Sequence, residues 1–427
     1  MTPILAITLK GRQLISQNTE SPSKSHGWLV VAAGVGINLV LGVLYSWSVI
    51  SKKIPADWNW TEADKSLPYS VACLVFSLAM VPAGRMQDRI GPRVVASIGG
   101  VLMGAGMVLA SLANTPLTYT LGFGVLVGLG MGFGYSSTTP PAIKWFPAAR
   151  TGLIAGLVVG GFGVASVYIA PLAESLINAY GVPTTMFAFG LGILVIAVGL
   201  AQLLKVPPAG YIPAGTVTAP VGDAQRKVDF TPMEILQTWQ FYVLWFMYAC
   251  GAGAGLMIIS KLAKMVDAQA GLKLGFVLVA CLAVGNGGGR VIAGVISDKI
   301  GRRATMFICF LLQAVLITLL SQANKDNFLG TAPVLAALSA LIGANYGANL
   351  ALFPSVTKDF YGLKNFGANY GLIFTAWGLG GFMLSMLAGK VYDATKTFTF
   401  AYECSAGLLV AAAVVTFLVT PPQHHEK

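Results

Sequence analysis

One arginine lies deep within an apolar stretch of this sequence, where a charge is costly. The stretch runs from Phe276 to Arg303, and Arg290 lies well inside its apolar part. A helix rises about 1.5 Å per residue, so Arg290 lies roughly 12 Å from the charged end of the stretch, near the middle of a bilayer core about 30 Å thick. Arginines at this depth are rare and mark ion or substrate pathways. We therefore expect Arg290 to bind an anion.

The residues just before Arg290 favour this interpretation over two structural ones. The run GNGGG at 285–289 is rich in glycine, which makes a helix thin and leaves room for a ligand. In the alternatives, the side chain extends to the inner membrane surface or pairs with a backbone carbonyl. Neither alternative requires a ligand.

The composition is that of an integral membrane protein. The chain has 427 residues, of which 56% are hydrophobic and 10% charged, and its mean hydropathy is +0.73. The net charge of +11 comes from basic residues that stand singly or in pairs between apolar spans, so it indicates topology and attraction of anions, and no nucleic acid. The five cysteines show no CxxC spacing and the three histidines lie outside the spans, so no cofactor, metal or disulfide is expected.

Twelve apolar segments are long enough to cross a bilayer, and only helices cross with this length and continuity. An all-α fold with twelve transmembrane helices is therefore predicted. The spans are 28–50, 67–84, 94–113, 117–143, 152–176, 184–204, 239–260, 274–297, 304–322, 329–353, 367–389 and 399–420.

The longest loop, 205–238, begins with KVPPAGYIPAG and separates six spans from six spans. It is predicted to be a cytoplasmic linker. The predicted domains are an N-terminal tail (1–27), two six-helix bundles (28–204 and 239–420) and a C-terminal tail (421–427). Lys and Arg are more abundant in the segments on the linker side than in the outer segments. The outer segments include Lys52 and Lys261. This bias predicts that both tails are cytoplasmic, in a cell (inner) membrane.

The two halves of the chain repeat one motif. AGRMQDRIGPR at 83–93 corresponds to AGVISDKIGRR at 293–303, and both follow an even-numbered span. Two-fold internal repeats are typical of secondary transporters, with the substrate site at the midplane between the repeats.

The repeated motif resembles the loop signature of the major facilitator superfamily. The resemblance implies that fold for essentially the whole chain, with two pseudo-symmetric six-helix bundles. It also implies a gating and structural role, with no part in substrate binding, for six charged residues: Asp88, Arg89, Arg93, Asp298, Lys299 and Arg303. Simple enrichment of positive charge on the inner side is the alternative explanation of these residues.

Two further segments are similar to a particular branch of that superfamily. GWLVVAAGVGINLVLGVLYSWSVI at 27–50 and KWFPAARTGLIAGLVVGGFG at 144–163 resemble helix motifs of the monocarboxylate transporters and equally of the bacterial oxalate–formate antiporters. Arg290 stands where these families have an essential arginine in their eighth helix. The resemblance implies a transporter of small carboxylates, such as a bacterial lactate transporter.

Two departures from the family pattern bear on the substrate and the coupling. In the oxalate–formate antiporter a helix-11 lysine pairs with the second carboxylate, and the aligned residue here is Trp377. An unpaired second carboxylate at this depth costs several kcal/mol, which favours a monocarboxylate. Mammalian monocarboxylate transporters have an aspartate one turn before the arginine, where this chain has Asn286. Asn286 cannot titrate, but it can hydrogen-bond the substrate beside Arg290.

The resemblance also implies the walls of the site. Tyr45, Tyr135 and Tyr346 match aromatic positions that line the antiporter cavity, where each hydroxyl could donate to a carboxylate. Leu350, Phe374 and Trp377 would form the apolar wall. Ordinary packing in helix interfaces is the alternative explanation for all six residues.

The coupled proton has one candidate site. Among the 16 acidic residues, Asp267 follows the seventh span and is placed to approach the outer mouth near Arg290. The alternative is a surface ion pair with Lys264, three residues earlier.

These observations predict a secondary active transporter of small monocarboxylates, such as L-lactate or pyruvate, that works by proton-coupled symport and alternating access. Its partners are the carboxylate anion, a proton and the bilayer, and a monomer is expected. The alternative is an oxalate/formate-type carboxylate exchanger. No enzyme is predicted, because the chain has no HExxH, GxSxG or GxxxxGK[ST] motif and no soluble domain.

Overall fold

A computed structural model describes residues 24–147, 150–208, 210–213, 229–362 and 365–422. The predicted tails therefore lie outside the described residues at 1–23 and 423–427, and the predicted linker at 209 and 214–228. Within the described ranges the protein is all helical, without a β-strand.

Twelve helices cross the described part of the molecule, as predicted from the apolar spans. We number them α1 to α12, and their bounds are Lys24–Leu41 continued by a 3-10 turn Gly42–Ser46 and by Trp47–Lys52 (α1), Glu62–Ile90 (α2), Pro92–Ser111 (α3), Pro116–Ile143 (α4), 151–180 (α5), 182–201 (α6), Trp239–Ala270 (α7), Gly275–Ile300 (α8), Arg302–Gln322 (α9), Ala332–Tyr361 (α10), Phe366–Thr395 (α11) and Thr399–Leu418 (α12).

One apparent span in fact contains two helices. The described chain has 11 helical segments that are long and apolar enough to cross a membrane, and one of them, Leu153–Ala201, has 49 residues. Gly181 interrupts it with φ 79° and ψ 170°, a backbone conformation that glycine adopts at little cost. The segment is therefore α5 and α6, and the fold has α1–α6 in an N-terminal half and α7–α12 in a C-terminal half.

Several helices extend beyond the predicted spans. Helix α2 begins at Glu62, five residues before its apolar part, where Thr61 and Asp64 form a capping box. Helix α7 continues to Ala270, past the apolar stretch that ends near residue 260. Hydropathy marks only the part of a helix in the hydrocarbon core, whereas backbone hydrogen bonding continues beyond it.

The segment that carries Tyr45 is set by a close approach of α1 and α5. The α-helix changes to a 3-10 turn at Gly42–Ser46. A Cβ added at Gly42 would overlap the Cβ of Ala165 and come within 2.7 Å of the Phe162 carbonyl oxygen. The glycine therefore lets α1 pack directly on the α5 backbone, which directs Tyr45 toward α5 and the centre of the molecule.

The glycine run before Arg290 packs α8 on α10. A Cβ at Gly285 would overlap the Ala340 carbonyl oxygen, and one at Gly289 would overlap that of Ala344. Small residues allow helix backbones to meet at this distance. This differs from the expectation that the run makes room for a ligand: of its glycines, only Gly288 faces open space.

Candidate functional site

Arg290 lies at the contact between the two halves. Its side chain is 7% exposed, its Nε donates to Oδ1 of Asn286 at 3.2 Å, and its Nη1 donates to the Val159 carbonyl oxygen on α5 at 3.0 Å. The side chain is buried and does not extend to the surface. The carbonyl bond considered as an alternative is therefore present, but it uses only one of the five N–H donors of a guanidinium.

The charge of Arg290 has no acidic partner in the described part of the chain. None of its ion pairs includes Arg290, and no acidic residue lines the adjacent cavity. Lys261, the other buried cation of the described residues, is paired with Glu62 at 3.0 Å. A buried, unpaired charge with free donors is a favourable site for an anion.

A small cavity adjoins the guanidinium. The volume of this cavity that the centre of a water molecule can occupy is about 10 Å³. This is enough for roughly one water. Both halves contribute to its wall, which consists of Tyr45, Phe76, Tyr135, Phe162, Arg290, Leu350, Phe374 and Trp377.

Aromatic rings close most of the cavity wall. Phe374 stacks on Trp377 with ring centroids 5.1 Å apart, and Phe76 meets Trp377 edge-on at 5.3 Å. Tyr135 meets Phe162 edge-on at 5.6 Å, and its hydroxyl interacts with the Arg290 guanidinium. These rings surround Arg290 with apolar surface, and an apolar site strengthens the attraction between Arg290 and an anion.

Six of the eight predicted substrate-binding residues line the cavity, and two lie behind its wall. Tyr346 contacts the lining residue Tyr45, and their hydroxyl oxygens are hydrogen-bonded at 2.6 Å. Asn286 is fully buried, and its Nδ2 has no hydrogen-bond partner among the described residues. Asn286 therefore positions Arg290 through Oδ1, and both N–H donors of its Nδ2 remain unused among the described residues.

Two lining residues were missed by the sequence reasoning. Phe76 lies in an apolar span of α2, where its residue type does not distinguish it from packing residues. Phe162 stands between two glycines on α5, and such a ring on a thin stretch of helix is a signal that could have indicated a wall position.

Asp267, the predicted proton site, lies away from the cavity. Its Oδ2 pairs with Nζ of Lys52 on α1 at 3.0 Å, with about a third of the carboxylate side chain exposed. The predicted alternative partner, Lys264, instead lies over the Tyr392 ring at 5.1 Å. Asp267 therefore joins the two halves at the end of the molecule opposite the 205–238 segment, which we call the opposite end.

A second group of charges at the opposite end was not recognised from the sequence. Lys261 is predicted in an outer segment, but it lies inside α7 and is 1% exposed. Its Nζ donates to Oε2 of Glu62 at 3.0 Å and to the Glu62 carbonyl oxygen at 2.9 Å. The Asp393 carboxylate of α11 accepts hydrogen bonds from the backbone N–H groups of Glu62 and Ala63 at 2.8 and 2.7 Å. Lys65 also pairs with Glu62, at 3.1 Å. The start of α2 is thereby fixed to α7 and α11 of the other half.

The six predicted gating residues occupy equivalent turns at the linker end, where the 205–238 segment lies. Gly91 and Gly301 both have φ of 89°, so the two copies of the motif form the same turn between consecutive helices. The side chains are exposed at these turns: Asp88, Arg89, Arg93, Asp298, Lys299 and Arg303.

The two copies differ in their contacts. Asp298 pairs with Arg302 at 2.7 Å, and Nη2 of Arg303 donates to the Phe417 carbonyl oxygen of α12 at 3.1 Å. Asp88 accepts a hydrogen bond from the neighbouring Gln87 and forms no ion pair with the described residues. Among the described residues, these hydrogen bonds and ion pairs of the motif therefore stay within one half.

The chain matches the sequence pattern of the Major Facilitator Superfamily over residues 28–285 and 244–427. A bacterial homolog of the human lysosomal transporter Spinster, solved in an inward-facing and unoccupied conformation, has a similar fold, with a TM-score of 0.64 and 16% identity over 93% of this chain and 96% of that one.

Similar proteins include both groups that the sequence resemblance named. The oxalate:formate antiporter of Oxalobacter formigenes is 28% identical over 79% of this chain and 78% of its own. Human monocarboxylate transporter 11 is 24% identical, with coverage of 92% and 83%. The uncharacterized MFS-type transporter YhjX of Escherichia coli is 27% identical, with coverage of 83% and 85%.

The fold, the twelve apolar helices and the matched proteins agree with one another. The relatives are transporters and not enzymes, and the helices make this chain a multi-pass membrane protein. The chain belongs to the Major Facilitator Superfamily.

Proposed function

We propose that this protein is a secondary active transporter of small monocarboxylates, such as L-lactate or pyruvate. One observation carries the proposal. Arg290 is a buried cation between the two halves, beside a cavity, with no acidic partner among the described residues. A substrate carboxylate supplies the missing negative charge and accepts the unused N–H donors.

The same wall supports a substrate with a single carboxylate. Arg290 is the only cation that lines the cavity in the described structure, and Trp377 presents an indole where a second cation would be needed. A second carboxylate buried against these rings costs several kcal/mol.

Transport by alternating access follows from a site between two halves. The linker end is the cytoplasmic side of a cell (inner) membrane, with both tails on that side, and the transporter is a monomer. The six motif residues gate the linker end, and Asp267 carries the coupled proton. A carboxylate that moves with a proton carries no net charge, so a pH gradient drives uptake.

An oxalate/formate-type exchanger is the second candidate. The wall of the cavity has no aspartate, glutamate or histidine, and the pair Lys52–Asp267 is remote from it, so a proton carrier beside the substrate is missing. The similarity to an oxalate:formate antiporter favours the same alternative.

Uptake of radiolabelled L-lactate into proteoliposomes tests the proposal. We expect an inward proton gradient to drive uptake by the wild type, and Arg290→Ala to reduce uptake to background. Lys273→Ala is the matched control, because it removes one exposed positive charge just before α8 and should transport normally.

Three outcomes would change this conclusion. Uptake that needs an internal carboxylate and ignores the proton gradient would establish the exchanger. Equal loss in Lys273→Ala would show that net charge, and not the site, matters. A folded wild type that takes up neither lactate, pyruvate nor acetate would refute the substrate class.

A further inference from the structure

Three side chains from three helices form a hydrogen-bonded chain that ends at the cavity. The indole Nε1 of Trp377 on α11 donates to the hydroxyl of Tyr346 on α10 at 2.8 Å. That hydroxyl is 2.6 Å from the hydroxyl of Tyr45 on α1. All three side chains are at most 2% exposed, so water does not compete for these bonds.

The direction of this chain follows from the chemistry of its first member. An indole N–H donates and cannot accept, so the oxygen of Tyr346 must be the acceptor from Trp377. The hydroxyl hydrogen of Tyr346 then needs an acceptor of its own, and within the described structure Tyr45 is the one within reach. Tyr346 therefore donates to Tyr45.

The hydroxyl hydrogen of Tyr45 is then not used by either of these two hydrogen bonds. Tyr45 lines the cavity beside Arg290, whereas Tyr346 does not. The free hydrogen of Tyr45 is therefore available to a group in the cavity, and an anion held by Arg290 is an acceptor. In the opposite direction Tyr45 would present lone pairs to the cavity, and these would repel an anion.

We propose that Trp377 is a positioning residue that acts through Tyr346 to keep the Tyr45 hydroxyl as a donor to the substrate anion. The inference rests on the proposed function, because it states how the carboxylate bound by Arg290 is recognised by a second group. Arg290 supplies the charge, and Tyr45 supplies a directed hydrogen bond from the other half.

A double-mutant cycle on the KM for L-lactate tests this inference. Removal of a hydrogen bond to a charged group costs about a factor of ten or more in affinity, so Tyr45→Phe should raise KM about tenfold with little change in maximal rate. Trp377→Phe keeps a ring against Phe374 but removes the donor, and it should raise KM about three- to tenfold. In the double variant KM should equal that of Tyr45→Phe alone, because Trp377 acts only through that hydroxyl.

The chain provides a matched control. Trp245 on α7 also donates its indole N–H to a hydroxyl, that of Thr375, at 2.9 Å, but it does not line the cavity. Trp245→Phe should leave KM unchanged. If Trp377→Phe does not fold, Tyr346→Phe interrupts the same chain at its middle and enters the cycle in its place.

Two results would overturn the relay. The first is a double variant whose KM is raised by the product of the two single effects, which would mean that Trp377 contacts the substrate independently. The second is an unchanged KM in Trp377→Phe. If the wild type transports no carboxylate, the proposed function fails, and the same cycle is then measured on the stabilisation of Tm by nitrate, which needs only an anion site.

Discussion

The guanidinium of Arg290 rests on the backbone of α5, and a single glycine makes this contact possible. A Cβ added at Gly163 would lie 3.1 Å from Nη2 and 3.2 Å from Cζ of Arg290, which is closer than carbon and nitrogen normally approach. The site therefore depends on the missing side chain of Gly163 as well as on the side chain of Arg290. The hydrogen bond to the Val159 carbonyl, one turn away, fixes the same guanidinium.

Gly163→Ala should shift the guanidinium by a few tenths of an ångström and weaken anion binding without unfolding the protein. Binding sites depend on geometry at this scale, so we expect KM for L-lactate to rise about threefold or more. Gly160→Ala, one turn earlier on α5, is the control, because a Cβ there meets nothing within 4 Å. Equal KM values in the two variants would show that the α5 contact is unimportant for binding.

At the scale of elements, α8 and α10 form the closest-packed helix pair around the site. Glycines of both helices bring the two backbones into contact. On α10, a Cβ at Gly343 would also overlap the carbonyl oxygen of Leu282 on α8. This packing fixes Arg290 and Asn286 on α8 relative to Tyr346 and Leu350 on α10. The glycine run is therefore a structural device that positions the site indirectly.

Gly289→Ala should destabilise the protein, because the added methyl group overlaps the Ala344 carbonyl oxygen. Overpacking of this kind costs about 1–3 kcal/mol, and it should appear as a lower Tm in detergent. Gly288→Ala, the adjacent substitution in the same run, faces open space and should keep the wild-type Tm. If Gly288→Ala lowers Tm equally, loss of glycine flexibility and not helix contact explains the effect.

The elements were predictable from sequence because hydropathy reports on the bilayer core. The same reasoning found Arg290, since a charge stands out in an apolar helix. Phe76 could not be found in this way, because a phenylalanine in an apolar span has no distinguishing local signal. The apolar stretch ends near residue 260, so Lys261 is predicted in an outer segment, whereas its helix continues to Ala270. Its partner Glu62 lies 199 residues away in sequence. Contacts between distant helices depend on tertiary packing, which a sequence pattern does not report.

At the scale of the whole molecule, the two halves are held more closely at one end than at the other. Along α2 and α11, a Cβ at Gly389 would overlap the Ser66 hydroxyl near the opposite end, and one at Gly378 would overlap that of Ser77 farther along. Nearer the linker end, a Cβ at Gly371 would meet only Val81, at 3.5 Å. The contact between these helices therefore loosens toward the linker end.

Ion pairs between the halves are concentrated at the tighter end. Lys261 of α7 pairs with Glu62 of α2, and Asp267 of α7 pairs with Lys52 of α1. The pair with Lys261 is buried, so solvent screens it little. In each pair, one residue belongs to the N-terminal half and the other to the C-terminal half. The two residues must therefore separate when this end opens. They thus stabilise the conformation in which the opposite end is closed.

Lys261→Met should shift the protein toward a conformation with the opposite end open. Loss of one partner of a buried pair costs several kcal/mol, and Lys65 remains beside Glu62 to offset part of it. Spin labels at Asp57→Cys and Lys325→Cys, exposed on the two halves at this end, report the distance by pulsed electron paramagnetic resonance. The labels are introduced after replacement of the five native cysteines. We expect a longer distance to gain at least about tenfold in population, which corresponds to 1.4 kcal/mol.

Lys264→Met, three residues later on α7 and in contact with Tyr392 of its own half, should leave the distribution unchanged. An unchanged distribution in Lys261→Met as well would mean that helix packing alone, and not the buried ion pair, keeps this end closed.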